Sequence, residues 1–431
     1  MNTNLIHATA TGVSRRQFLK HSSGTLLGAA ALAEFPFVRT AHAAPDDPIR
    51  IGVIGCGGRG TGAVLDALGA ATKVIYPSSG YHTEDVDAST ALRRNNVQVT
   101  ALADMFPDRL HRCREQLAKL KIELPDENCF LGFDAYRQLL AVPEINYVIL
   151  ATPPHFRPIH LQAAIEAGKH VFVEKPVAVD GPGVRMVLAA GELAANKGLG
   201  IVAGTQRRHQ RDYNETIQRL HDGAIGDIMY ARAYWNGGVI WVIERQDGWS
   251  DMEWQLRNWN YFTWLSGDHI VEQHVHNLDV MNWVLQAHPI KATGMGGRQA
   301  RPNRNYGHIY DHFAVEYEYP NGVRMFSQCR QMNGCEGKVE EAVVGTKGSS
   351  NCRDRIYTTV GTPWRFREKQ SNPYQQEHED LIASIRAGQP LNEARAIAES
   401  TLTGIMGRES AYSGQSVEWE QALNSARSLA P

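Results

Sequence analysis

The sequence is poor in cysteine, in net charge and in long apolar runs, and each shortage removes a class of function. Only six cysteines occur in 431 residues, and no two form a C-x-x-C pair. Cys56, Cys113, Cys129, Cys329, Cys335 and Cys352 are scattered, which argues against a zinc site or a disulfide scaffold. Their plain reading is small buried hydrophobes; Cys329 and Cys335 are the pair to check for a bridge. Lysine plus arginine, 44, nearly balance aspartate plus glutamate, 46, leaving a net charge of −2. No aromatic-studded basic stripe interrupts that balance, so nucleic acid is excluded as a partner. Beyond the N-terminal region no stretch approaches the roughly 18 uninterrupted apolar residues of a membrane span. What remains is ordinary globular composition, 43% hydrophobic and 21% charged, in a chain long enough for two or three domains.

The first 43 residues read as a leader. Ser14-Arg15-Arg16-Gln17-Phe18-Leu19-Lys20 precedes an apolar, Ala-rich run to about Leu32, and Ala41-His42-Ala43 is an A-x-A cleavage pattern. In that order they predict a twin-arginine export signal, a mature chain from Ala44, and a periplasmic or other extracytoplasmic location. The apolar run is too short for stable membrane insertion. The twin-arginine export machinery is the implied partner, and it carries folded proteins, a route suited to enzymes that take up a cofactor before export.

The mature chain is organised around Ile49–Gly62. The apolar run Ile49–Ile54 predicts a buried parallel strand, followed by Gly55-Cys56-Gly57-Gly58-Arg59-Gly60, a G-x-G-x-x-G. Gly55 permits the tight turn, Gly57 lets backbone approach a pyrophosphate, and Gly60 lets the helix from Arg59 pack close to the strand. That helix aims its free N–H groups, with Gly58 and Arg59 at the turn, toward an anion. The competing reading is a glycine-rich structural turn.

A polar insertion, residues 70–96, precedes the strand Gln98–Ala103, which ends in Asp104. An acid at that place bonds the ribose 2′-hydroxyl and favours NAD, although the usual spacing is only about 20 residues. Arg109 nearby could meet a 2′-phosphate, so NADP stays possible, and Asp104 could instead cap the helix from Pro107. Further strands at Cys129–Phe133, Asn146–Leu150, Lys169–Val173 and Gly200–Ala203 alternate with helices. This predicts an α/β fold with a doubly wound parallel sheet of the Rossmann type over residues 44–204. Ligands bind at the carboxyl ends of such strands, which puts Thr152, Pro153 and His155, then Glu174 and Lys175, on the nicotinamide side.

Here the chain resembles the Gfo/Idh/MocA oxidoreductases. The resemblance rests on the glycine loop, Ala151-Thr152-Pro153-Pro154-His155, Glu174-Lys175-Pro176, Gly204-Thr205-Gln206-Arg207-Arg208 and Glu272-x-x-x-His276-x-x-Asp279. It implies a second α+β domain, residues 205–431, with an open, mainly antiparallel sheet, and an active site in the cleft between the two. It implies that Lys175 contacts both the substrate hydroxyl and the nicotinamide ribose, and that His276 is the acid or base. Glu272 stands where many members have Asp. An open sheet face implies, by analogy, a homodimer or homotetramer.

In the second domain seven of the nine tryptophans lie between Trp235 and Trp283. Aromatic faces stack on sugar C–H faces and on cations, so Arg208, Trp235, Trp259 and Tyr261, with His276, are candidate contacts for a carbohydrate or polyol. The alternatives are internal packing or a subunit interface. His269, Glu272, His274 and His276 crowd one stretch; Glu272 and His276 could share a helix face as metal ligands do, but no third ligand is evident and no metal is expected. An imidazole titrating near neutrality can accept a hydroxyl proton. Strands Ile290–Gln299, His312–Tyr319, Val323–Gln331, Glu340–Val344 and Ser349–Tyr357 precede helices at Tyr374–Ala387, which carries His378, and Asn392–Tyr412.

The expected activity is NAD(P)-dependent oxidation of a sugar or polyol secondary alcohol, with Lys175, His276 and Glu272 as catalytic residues. A redox-neutral glycosidase or lyase working through a transient 3-keto sugar, and a non-catalytic nucleotide-holding protein, are the rivals.

Overall fold

The computed structural model describes residues 47–70, 74–75, 82–83, 96–359, 361–369 and 371–431. The expected leader lies outside the described residues, as does the 70–96 insertion apart from Ala70, Asn96 and a two-stranded ribbon, Val74–Ile75 with His82–Thr83.

The run IRIGVI becomes β1 (Ile49–Ile54), apolar because a parallel strand is covered on both faces. It is the third strand of a six-stranded parallel sheet with β2 (Val97–Asp104), β3 (Cys129–Leu131), β4 (Tyr147–Leu150), β5 (His170–Val173) and β6 (Ile201–Ala203), in the order β3-β2-β1-β4-β5-β6. Order reverses between β1 and β4, which opens a crevice at their carboxyl ends. The crossover helices are α1 (Gly58–Ala67), α2 (Pro107–Lys119), α3 (Ala135–Leu140), α4 (Arg157–Glu166) and α5 (Gly181–Lys197). Helix α5 shows how locally its bounds are set. Asp180 accepts a hydrogen bond from Gly183 N at 2.9 Å, Pro182 sits in the first turn, and Gly198 closes the helix at φ +66°.

After α6 (Arg211–His221) the second sheet has nine strands. These are β7 (Ile228–Gly237), β8 (Lys291–Gly297), β9 (His312–Glu318), β10 (Arg324–Gln331), β11 (Lys338–Gly345), β12 (Gly348–Ser350), β13 (Arg355–Thr358), β14 (Trp364–Arg365) and β15 (Val417–Glu418), in the order β14-β13-β12-β11-β7-β10-β9-β8-β15. Only β7 and β10 pair in parallel. The expected single strand Ser349–Tyr357 is in fact two. Asn351 Oδ1 accepts from the backbone N–H groups of Arg353, Asp354 and Arg355 at 3.2, 3.0 and 2.9 Å, and Cys352 turns through φ +61°. An asparagine bonding its own downstream backbone competes with the ladder and makes the turn.

The longer helices packed beside it among the described residues include α7 (Asp251–Arg257), α8 (Val275–Leu285) and the largely buried α10 (Ala394–Ser413). Helix α9 (Pro373–Arg386) packs back on the first domain, and its first turn reaches the glycine loop, the Tyr374 ring lying 5.1 Å from the Arg59 guanidinium. Its Leu381, Ile382 and Ile385 join the core of Ile49, Ile51 and Val53, at roughly 1.5–3 kcal/mol per buried aliphatic side chain. His378 is fully buried there, its Nδ1 2.8 Å from Tyr147 Oη, so it is a core residue. All six cysteines are free, including Cys329, which is buried, and Cys335, which is exposed. No helix among the described residues is long and apolar enough to cross a membrane.

Candidate active site

The three glycines of the first turn are required for different reasons. Gly55 has φ +97°, and a Cβ there would lie 2.7 Å from both Ala151 C and Thr152 N. A Cβ on Gly60 would collide with the Gly55 carbonyl oxygen, so α1 packs against β1 only without one. A Cβ on Gly57 would meet no protein atom within 4 Å; it would project into open space. Protein packing therefore explains Gly55 and Gly60 but leaves Gly57 unexplained, unless something approaches its backbone. Gly57 is the N-cap of α1 and supplies no side-chain bond to the first turn, which also holds no acidic residue. Those N–H groups suit a pyrophosphate.

A cavity of about 560 Å³ opens there. Gly55, Gly57, Gly58 and Arg59 line it, with Asp104 and Arg109 at one end and Thr152 and Pro153 at the other. Asp104 is buried, and its carboxylate accepts from Cys56 N at 2.7 Å and Phe106 N at 2.8 Å. Burial raises its pKa against the opposing pull of Arg109. It thus ties the end of β2 to the glycine loop; the cap of α2 is Phe106.

Beside the cavity, the Glu-Lys-Pro that follows β5 faces the second domain. Arg59 Nε donates to Glu174 Oε1 at 2.6 Å, joining the glycine loop to this turn. Lys175 Nζ donates to the Glu272 carbonyl at 2.5 Å and to Glu272 Oε1 at 3.0 Å. His276, in the first turn of α8, stacks on Trp235 of β7 with ring centroids 5.6 Å apart and planes 21° apart. Burial, and then the charges of Lys175, Arg207 and Arg59, push its pKa well below the usual imidazole value. His276 is therefore neutral at neutral pH, and its Nδ1 has no hydrogen-bond partner among the described residues. A neutral imidazole beside a fixed ammonium is suited to accept a proton from a hydroxyl whose oxygen the ammonium steadies.

The structure gathers Lys175, Glu272, His276 and Trp235 in one cluster. It puts Gly55, Gly57, Gly58, Arg59, Asp104, Thr152, Pro153 and Trp259 on the adjoining cavity. Three expected contacts are placed elsewhere. Arg208 makes a two-pronged ion pair with the buried Asp279, at 2.9–3.1 Å, because that carboxylate needs a cation. Tyr261 is fully buried, its hydroxyl directed at the Ile240 carbonyl at 3.4 Å, and forms part of an aromatic core with Trp254 and Phe262. His155 packs edge-on against Phe156 and Trp264, at 5.0 and 5.2 Å, and does not line the cavity. His269 and His274 point away too, to Asp268 and to Ser327.

Arg207 was not anticipated. It pairs with the buried Glu341, which also accepts from Tyr213 Oη at 3.1 Å and Asn277 Nδ2 at 2.6 Å, and its guanidinium sits 5.8 Å from the Trp235 ring. Adjacent identical arginines gave no sequence signal to separate the two. Trp241 and Trp249, also missed singly, line the cavity with Trp259. The tryptophan density was their signal.

A glycine-loop crevice at a strand-order reversal, roofed by a second α+β domain, defines a two-domain dinucleotide-dependent enzyme fold. Residues 49–204 match the model of the oxidoreductase family with NAD-binding Rossmann fold, and residues 213–351 match the Gfo/Idh/MocA C-terminal domain. The chain belongs to the Gfo/Idh/MocA oxidoreductases, and its first domain is an NAD-binding Rossmann domain. It is 26% identical over 307 residues to inositol 2-dehydrogenase of Gluconacetobacter diazotrophicus, covering 68% of this chain and 80% of that one. It is 28% identical over 182 residues to 2,7-anhydro-N-acetylneuraminate hydratase of Escherichia coli, covering 41% of this chain and 44% of that one. The chain thus spans from under half to four fifths of the length of these relatives. The fold matches scyllo-inositol dehydrogenase of Lactobacillus casei, solved with NAD(H) and scyllo-inositol, at TM-score 0.62 and 18% identity, over 86% of this chain and 99% of that one.

Proposed function

We infer that the protein is an NAD(P)-dependent dehydrogenase acting on a secondary hydroxyl of a sugar or polyol. The observation that carries this reading is the half-buried His276, stacked on Trp235 and close to the Lys175 ammonium that Glu272 fixes, beside the glycine-loop cavity. Bound nicotinamide would supply the hydride acceptor. Gly57 and the start of α1 would hold the pyrophosphate, and Asp104 the adenosine ribose. His276 takes the hydroxyl proton, Lys175 steadies the oxygen, and Glu272 holds the Lys175 ammonium in place through two hydrogen bonds. Trp235, stacked on His276, offers a face to the carbon skeleton. The inositol 2-dehydrogenase relative supports a polyol substrate. The test is a panel of inositols and aldoses with NAD and NADP, followed at 340 nm. Growth of the band with one polyol supports the reading; a flat trace across the panel, from protein that binds the dinucleotide, removes it.

A second reading, redox-neutral elimination through a transient keto sugar, is favoured by the hydratase among the relatives. Release of a chromogenic aglycone with no net NADH would select it. Residues 1–43 are read as the twin-arginine leader of a periplasmic enzyme, and N-terminal sequencing of exported protein should begin at Ala44. The open face of the nine-stranded sheet, with Tyr230 and Met295 exposed, suits a homodimer or homotetramer, which light scattering would measure.

A further inference from the structure

Between β7 and α8 the chain leaves its own sheet. Residues 238–250 have no regular structure, yet Trp241, Ile243 and Trp249 form the cavity wall opposite the glycine loop. This stretch is braced from within: Ile243 N donates to Asn258 Oδ1 at 2.9 Å, Trp254 Nε1 to the Ile243 carbonyl at 3.0 Å, and Arg245 Nη2 to the Trp249 carbonyl at 2.8 Å. The first two of these bonds tie it to α7 and its C-terminal end. That far end is fastened to the first domain by the Arg257 side chain and by apolar packing of Trp254 and Leu256 against Phe106. Arg257, at the end of α7, makes a two-pronged pair with Asp108 on α2, at 3.0 and 3.1 Å. Its guanidinium lies 3.9 Å from the centre of the Phe106 ring and 4.8 Å from that of Trp249, and its carbonyl accepts from Arg109 Nη2 at 3.4 Å. Phe106 and Arg109 both line the cavity at the Asp104 end.

We propose that residues 239–257 form a strap over the adenosine half of the nucleotide cleft, latched by Arg257 to Asp108 and Phe106, so that the dinucleotide is retained between turnovers. The proposal rests on the dinucleotide reading of the cavity. An occupant meets backbone glycines on one side and the tryptophan wall on the other, and it leaves on the strap side when Arg257 parts from both partners and the strap lifts off Phe106. A bidentate, charge-assisted pair stacked on an aromatic ring is the contact that has to break. Differences in affinity between variants of one site appear mostly in the off-rate, so the latch acts on release.

The test is the release rate of NADH from the full-length protein, followed by loss of energy transfer from tryptophan after dilution into excess unlabelled NAD. Asp108→Asn takes the charge and one of the two acceptors out of the pair on its solvent-facing side and leaves α7 intact; Arg257→Gln removes the guanidinium from the other side. Both should speed release roughly tenfold or more, about the loss of 1.4 kcal/mol. Release within twofold of wild type in Asp108→Asn overturns the latch, even if Arg257→Gln fails to fold. Wild-type protein that takes up no NADH overturns the nucleotide reading as well.

Discussion

The two walls of the cleft are built by different means. On the first-domain wall, Gly55, Asp104, Thr152 and Lys175 all lie at or just beyond the carboxyl end of a parallel strand, so backbone topology alone delivers them. On the second-domain wall, Trp235 comes from a strand, His276 from a helix and Arg207 from a turn, and buried polar bonds fix their directions. Lys175 reaches Glu272 across the gap, and Glu341 orients Arg207 and Asn277 together. A wall set by backbone tolerates exchange of most side chains but not of its glycines. A wall set by side chains fails by one network at a time.

The sharpest way to break the comparison is in the glycine loop. Gly60→Val should abolish dinucleotide uptake and destabilise the fold, because the new Cβ overlaps the Gly55 carbonyl. Gly57→Val should also abolish uptake but lower the melting temperature far less, only by what a poorer N-cap costs, since no protein atom is in its way. Equal loss of stability in the two variants would mean that Gly57, too, answers to packing. On the other wall, His276→Ala should lower kcat by about 10²–10⁴ while dinucleotide affinity holds. Because the wild-type imidazole stays neutral well below its ordinary pKa, kcat/KM should be level through neutrality and fall only below about pH 6.5. A fall centred at or above that pH would put the proton elsewhere.

This contrast also explains what could be read from the sequence. The first wall was legible nearly to the residue: the strand Ile49–Ile54, the glycine turn, and the strand ends at Asp104 and Thr152 follow from local periodicity and turn chemistry. Helix α7 was within reach as well, because Ser250 and Glu253 have capping-box spacing and Ser250 Oγ does accept from Glu253 N at 3.1 Å. The directions of second-wall side chains were not legible. Tyr261 and Trp259 are two residues apart and equally aromatic, yet one is core and the other lines the cavity, and only the tertiary packing separates them. Arg207 and Arg208 differ in nothing but which buried carboxylate each meets, Glu341 or Asp279.

That last pair gives a third test. Arg208→Ala strips the cation from an Asp279 that is almost fully buried and is otherwise held by Ser400 Oγ at 2.8 Å. Removing one partner of a buried pair costs about 3–5 kcal/mol, so the variant should melt early while its folded fraction keeps the wild-type KM. A raised KM with unchanged stability would return Arg208 to the substrate.

The smallest effect expected is a drift with pH at the joint between the walls. His209 follows β6 and is buried, which works against its charge. A hydrogen bond to Asp380 at 2.6 Å and the Glu393 carboxylate 3.4 Å away outweigh that and hold its pKa up to about 10. An imidazolium favoured by the fold contributes stability that is complete below the unfolded value near 6.5 and drains away as pH rises through the folded one. His209→Gln should therefore lie furthest below wild type in melting temperature at about pH 6, and the gap should close as pH approaches 10. A gap that widens with rising pH would show that His209 is neutral in the fold, and that the joint is held by packing instead of charge.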